Sequence, residues 1–145
     1  MSIQIKVVKM HPNAIVPAYS HSGPFGDLAA DLCTATDEVV EPGEIKLIRT
    51  GLAMKFPPDF GALVEDRSSL ASIGFATLAG VIDPGYRGEV SVVVVNLGQK
   101  RVVFQCGDRI AQLRIVRRIA ATFVESADIS STDRGTGGFG STGSD

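Results

Sequence analysis

Five short segments of this 145-residue chain hold the side chains best suited to chemistry. In "AGVIDPGYRGEV" (Ala79 to Val90), Asp83 ends an apolar run and opens a turn through Pro84 and Gly85. A carboxylate fixed at such a corner can act as general base on a water, and the flat ring of Tyr86 stands three residues on. A hairpin whose Asp caps its own Asp-Pro-Gly turn explains the same letters. In "DRSSLAS" (Asp66 to Ser72), Arg67 offers a planar fork that matches phosphate oxygens. Ser68 and Ser69 follow, where the one stretch able to form a short helix begins. Helix N-termini favour anions, but an N-cap serine beside a surface arginine is the plainer account.

The other three segments are equally two-sided. "CGDRIAQL" (Cys106 to Leu113) sets Gln112 among apolar neighbours, where its amide needs a partner, either a backbone group or a ligand oxygen. "GDLAADLCTA" (Gly26 to Ala35) carries Asp27 and Asp31, which fit a metal pair or a solvated loop. "RGTGGFGSTG" (Arg134 to Gly143) holds Arg134, Phe139, Gly140, Ser141 and Thr142 in a glycine-rich tail. It lacks the Gly-Lys-Ser/Thr of a P-loop, and alone it reads as disordered.

The elements that must position these groups are short strands. "SIQIKVV" alternates, with Ile3, Ile5 and Val7 on one face. "EIKLIRTGLAMKF" reads as two runs broken at Gly51, and "GALVEDR", "RVVFQ", "DRIAQLRIV" and "ATFV" as further strands. "EVSVVVVNL" is apolar on both faces and predicts cover on both sides. Turn signals recur between them, at Glu41-Pro-Gly, Pro57-Pro-Asp, Asp83-Pro-Gly, Asn96-Leu-Gly and Cys106-Gly-Asp. This rhythm predicts an all-β sandwich or barrel. "SSLASIG" is the exception, a short helix expected to carry a Ser at its N-cap. From Ser126 the composition turns to Ser, Thr, Asp and Gly, too polar to fold alone.

Composition narrows the class. A hydrophobic share of 44% suits one folded domain. A net charge of −2 argues against a nucleic-acid or anionic-membrane partner, so a bound anion must be caught by local charge and backbone N–H groups. No apolar run approaches the roughly 18 residues of a membrane span, and "MSIQIKVVKM" has no signal-peptide core. Cys33 and Cys106 stand alone and the two His are not at ligand spacing, which disfavours zinc and suits a reducing cytoplasm.

Taken together, in order and spacing, the five segments resemble the motifs of the trimeric dUTPase family, the deoxyuridine triphosphate nucleotidohydrolases. "GVIDPGYRGEV", "GDRIAQL" and "RGTGGFGSTG" are the most specific, and the likeness runs from about Tyr19 to Gly143. The resemblance implies a distorted jelly-roll β-barrel over residues 1–125 and a flexible arm over 126–145. It implies a homotrimer with three sites between subunits, and hydrolysis of dUTP to dUMP and pyrophosphate. That reaction limits uracil in DNA and supplies dUMP for dTMP synthesis. Magnesium would ride on the substrate triphosphate, linked to Asp31 only through water.

The resemblance also assigns roles. Asp83 would activate the water that attacks the α-phosphorus. Tyr86 would pack under the deoxyribose and exclude a 2′-hydroxyl. The backbone of Gly80, Val81 and Ile82 would read the uracil edge. Arg67, Ser68, Ser69 and Gln112 would hold phosphates. In the arm, Phe139 would stack on uracil, while Arg134, Gly140, Ser141 and Thr142 would close over the nucleotide. Asp27 falls outside the matching position and reads as a loop acid. Thr77 stands where some relatives carry Asn near the base, and "LAADLCTA" departs from a common Gly-Tyr-Asp-Leu. The fold is shared by dCTP deaminase, whose catalytic Glu falls at Val93; valine carries no proton. A non-catalytic nucleotide sensor is the other rival.

Overall fold

The computed structural model describes residues 2–140. In chain order the strands are β1 (Lys6–Lys9), β2 (Ala30–Cys33), β3 (Glu38–Val40), β4 (Ile45–Lys55), β5 (Phe60–Glu65), β6 (Phe75–Ala79), β7 (Val81–Ile82), β8 (Glu89–Asn96), β9 (Val102–Phe104) and β10 (Arg109–Arg117). One helical turn, α1 (Ser68–Ala71), follows β5. Two four-stranded antiparallel sheets, ordered β1-β4-β8-β6 and β2-β10-β5-β7, enclose the core, and β3 and β9 form a separate pair. This is the all-β, jelly-roll architecture that the turn rhythm and the motifs imply.

The core follows from alternation. In β8, Val90, Val92 and Val94 point inward and are buried, while Ser91 and Val93 are half-buried on the other face. Leu32, Ile48, Leu52, Phe75 and Ile110 complete the interior with almost no exposure. Burying one such side chain is worth about 1.5–3 kcal/mol. Asn96 is fully buried, and its amide donates to the carbonyls of Val40 (2.9 Å) and Lys100 (2.8 Å) while its oxygen accepts Gly98 N–H. The turn from β8 to β9 is therefore closed by a satisfied polar group.

Four local readings need correction. β4 is one strand rather than two: it bulges at Thr50–Gly51, where its register against β8 slips. The N-cap of α1 is Arg67, in extended conformation and without a side-chain capping bond, not a serine. Asp83 does not cap a hairpin, because β7 pairs with β5 and β8 pairs with β4 and β6, so the turn carries the chain from one sheet to the other. Finally, "ATFV" forms no strand, since after Arg117 no described residue pairs in a sheet. The expected double cover of β8 is half met within the chain: Val93 lies opposite Leu47, which is 59% exposed.

Candidate active site

Two clefts gather the candidate residues. The first, about 320 Å³, is lined by the backbone run Ala79 to Asp83, by Tyr86 and Glu89, and by Leu47 and Val93. β6 ends at Ala79 and β7 begins at Val81, so Gly80 is where the chain crosses between sheets. Its carbonyl accepts Val64 N–H at 2.9 Å, which seats the crossing on β5. Val81 and Ile82 then pair with Leu63 and Ala62. Asp83 follows, exposed at the cleft, and its carbonyl accepts Tyr86 N–H at 3.1 Å to close the turn. Arg87 donates to the carbonyl of Pro84 at 2.7 Å and braces the same turn. The carboxylate is thus placed by a braced corner rather than by burial.

Tyr86 is held at both ends. Its hydroxyl donates to the carbonyl of Glu89 at 2.8 Å. Its ring also lies against Gly88, where a Cβ would stand 2.5 Å from the phenol oxygen and push the ring aside. The resulting slot has apolar walls, backbone at 79–83, a flat ring and two acids, Asp83 and the Arg49-paired Glu89.

The second cleft, about 290 Å³, is lined by Ser20, His21, Asp27, Asp31, Arg67, Ser68, Ser69, Arg109 and Gln112, among others. Its positive charge comes from Arg67 and Arg109. Arg109 Nε stands 3.6 Å from Asp31, whose carboxylate also accepts the Ser20 hydroxyl at 3.0 Å. Gln112 lies in β10 opposite both Asp31 and Glu65, and its Nε2 donates to the carbonyl of Asp66 at 3.3 Å. The backbone partner is the one the chain itself provides. Asp27 belongs to a closed loop: it accepts His21 N–H at 2.8 Å and pairs with the His21 ring at 3.0 Å. These bonds, the backbone one foremost, hold its carboxyl below the usual range. Burial, with the Asp31 charge second, pushes the neighbouring Cys33 thiol up, so it is not an activated nucleophile.

No described residue lines both clefts. The structure brings Gly80, Val81, Ile82, Asp83 and Tyr86 together, and separately Asp31, Arg67, Ser68, Ser69 and Gln112. The described part of the tail joins neither: Arg134 Nε donates to the Gly137 carbonyl within its own turn at 2.8 Å, and Phe139 is fully exposed. Gly140 follows with φ +83°. Ser141 and Thr142 lie outside the described residues. Two contributors escaped the sequence reading. Arg109 sits inside a motif already singled out for its Gln. Glu89 looked like an ordinary strand residue, and only its pairing with Arg49, forty positions away, marks it.

A jelly-roll barrel with an acid-bearing corner over a flat slot, and apart from it a hydroxyl-rich cleft holding two arginines and two aspartates, defines a nucleotide-handling β-barrel. Comparison with known proteins gives the same class a family. A model of the dUTPase family matches residues 15–143. The chain is 45% identical over 144 residues to the deoxyuridine 5'-triphosphate nucleotidohydrolase of Solibacter usitatus, covering 97% of each. A variant of the dUTPase of Staphylococcus bacteriophage 80alpha, solved with dUpNHpp, shares the fold with a TM-score of 0.87 at 24% identity, over 99% of this chain and 100% of that one. A variant of the dUTPase from phage phi11 of S. aureus, described with a structural Mg(II) ion, superposes with a TM-score of 0.79 at 22% identity, over 89% and 100%. The chain belongs to the dUTPase family.

Proposed function

We propose that this chain hydrolyses dUTP to dUMP and pyrophosphate, and so limits uracil in DNA and supplies dUMP for dTMP synthesis. The observation that carries this reading is the first cleft: the Asp83 carboxylate, one aromatic ring and a run of main-chain polar groups line the same slot, and its other acid, Glu89, is paired with Arg49. Uracil pairs its edge with the backbone of Gly80 to Ile82. Tyr86 lies under the sugar, where a ribose hydroxyl meets the ring. Asp83 orients a water and takes its proton as the oxygen bonds to the α-phosphorus. The bond from that phosphorus to the bridging oxygen breaks, and pyrophosphate leaves. Arg67 matches phosphate oxygens with its fork, and Ser68, Ser69 and Gln112 add donors.

The donor set fits a magnesium ion carried in by the substrate. Among the described residues no three His, Cys, Asp or Glu side chains gather as metal ligands. Asp31 is a carboxylate in the phosphate cleft, suited to an ion that keeps its waters. When bound, magnesium neutralises charge on the triphosphate.

The reading includes a homotrimer. Two clefts with no residue in common support a site assembled between subunits, as does a segment after Arg117 that leaves Phe123, Val124 and Ile129 exposed. The arm, residues 126–145, closes over the nucleotide, with Phe139 on the base and Arg134, Gly140, Ser141 and Thr142 along the phosphates. No described helix is long and apolar enough to cross a membrane, and we place the protein in the cytoplasm.

Pyrophosphate release measured with dUTP, dTTP, dCTP and UTP tests the proposal. Release from dUTP well above the other three is expected. Binding without release means a sensor, and ammonia from dCTP means a deaminase. Against the latter stands Val93, which lines the first cleft and has no proton to move.

A further inference from the structure

The bulge in β4 has a chemical consequence on the far side of β8. Ladder pairing runs Arg49 to Ser91, then resumes at Leu52 with Val90, so Thr50 and Gly51 face no partner. Thr50 turns its hydroxyl onto the carbonyl of Val90. Gly51 adopts φ +71°, and a Cβ there would lie 2.6 Å from His11 Cβ, so the bulge requires glycine. The freed Gly51 N–H is taken by Glu89 Oε2 at 3.1 Å.

That carboxylate is also gripped by Arg49. Nε donates to Oε2 at 2.9 Å and Nη2 donates to Oε1 at 2.9 Å, a two-pronged fork. Glu89 is only 17% exposed at its side chain, and three donors from β4 leave it little freedom. Its main-chain carbonyl accepts the Tyr86 hydroxyl. Between the two, residues 86–88 belong to no strand or helix, so the far end of the ring is fixed through Glu89. Arg49 itself does not line the first cleft.

We propose that Arg49 is a positioning residue for sugar selection: through Glu89 it holds the Tyr86 ring in place and so sets the preference for a 2′-deoxy over a 2′-hydroxy nucleotide. This rests on the reading of Tyr86 as the sugar's floor. Arg49 touches no substrate; without it, the Glu89 carboxylate keeps only the Gly51 N–H, the end of β8 where Glu89 pairs with Ala53 loosens, and the ring gains room to tilt away from a 2′-hydroxyl.

The experiment compares kcat/KM for dUTP and UTP in the parent, Arg49→Ala, Arg49→Lys, Tyr86→Phe and the double variant Arg49→Ala/Tyr86→Phe. Arg49→Ala should narrow the dUTP preference about tenfold, the size of one lost hydrogen bond. Most of that change should come as a lower KM for UTP, with kcat for dUTP held. Arg49→Lys keeps the charge and one donor, and should recover part of the preference. Tyr86→Phe should narrow it similarly, and the double variant no further, because both break one chain of contacts. An unchanged preference in Arg49→Ala beside a narrowed one in Tyr86→Phe overturns the proposal, and so do effects that multiply in the double variant. Tyr86→Ala separates the two layers: if it leaves the preference unmoved, the reading of Tyr86 fails. The link is then judged on the ring itself. The chain has two tyrosines and no tryptophan, so a Tyr19→Phe background leaves Tyr86 as the sole fluorophore. Its anisotropy must fall on adding Arg49→Ala, and an unaltered anisotropy refutes the clamp. Should Arg49→Ala not fold, Arg49→Lys carries both measurements.

Discussion

The carboxylate of Asp66 accepts the main-chain N–H of Thr77 at 2.6 Å, while its own carbonyl accepts Gln112 Nε2 at 3.3 Å. One residue thus joins the end of β5, the start of the Arg67–Ser69 turn, β6 and β10. Because β6 leads into Gly80, Asp66 also couples the second cleft to the first.

Asp66→Ala should therefore lower stability by about 1 kcal/mol, the net worth of such a bond. It should also raise KM for dUTP more than it lowers kcat, since the phosphate ligands loosen but the base at Asp83 stays. Asp66→Asn keeps an acceptor and should restore most of both. Urea unfolding and steady-state kinetics check this; a wild-type KM in Asp66→Ala would show that Thr77 is held by other means.

On the proposed mechanism, Asp83→Asn preserves shape and removes the base. Hydrolysis should fall by about 10²–10⁴, while binding of a non-hydrolysable dUTP analogue, followed by calorimetry, should stay within a few-fold. An Asn variant that turns over like the parent would move the base elsewhere.

What the sequence made legible was chemistry carried by local patterns. The alternation in "SIQIKVV" places Ile3, Ile5 and Val7 at half-buried positions between exposed ones, although only Lys6–Lys9 pairs as a strand. The order of the motifs gave the family. Most of the misses depend on contacts distant in sequence. That Gly51 bulges one strand rather than ending it depends on His11 and Glu89. Ser68 loses the capping position to Arg67 because the chain leaves β5 still extended. The Asp-Pro-Gly turn looks the same whether it closes a hairpin or hands the chain to another sheet. And the separation of the candidate site into two clefts is a property of the barrel surface, on which linear order says nothing.

Acid should expose the Glu89 clamp. Hydrogen bonds from Arg49 foremost, then from Gly51 N–H, hold the Glu89 carboxyl below its usual range against a partial burial that raises it. A group depressed in the folded state stabilises fully above its unfolded value, about 4.3 for Glu. That contribution is lost as pH falls from there through the folded value. Thermal midpoints from pH 7 to pH 3 should show the parent exceeding Glu89→Gln by a constant margin above about pH 5.3, roughly a unit above the Glu value. The margin should shrink below pH 4.3. A margin independent of pH would mean that the carboxylate charge plays no part in the clamp.

If the protein assembles as the proposed trimer, complementation between inactive chains identifies the subunit that donates the arm. Two inactive chains are needed: Asp83→Asn with its arm intact, and a chain stopped after Asp133 with Asp83 intact. Each homotrimer should be nearly dead, the first for want of a base and the second for want of Arg134 and Phe139. Unfolded together in equal amounts and refolded, they form mixed trimers, which native mass spectrometry must show. If a site takes Asp83 from one subunit and its arm from another, each part is intact half the time. About a quarter of sites are then complete, and activity returns to about a quarter of the parent's, as random assembly of a cyclic trimer requires. If the arm folds back over its own Asp83, every site lacks one part and hybrids stay inactive. Among the described residues the segment after Arg117 has no strand partner, and its sequence is glycine-rich from Gly135 on, so it has the reach to cross a boundary. Hybrids without recovered turnover would assign the arm to its own subunit.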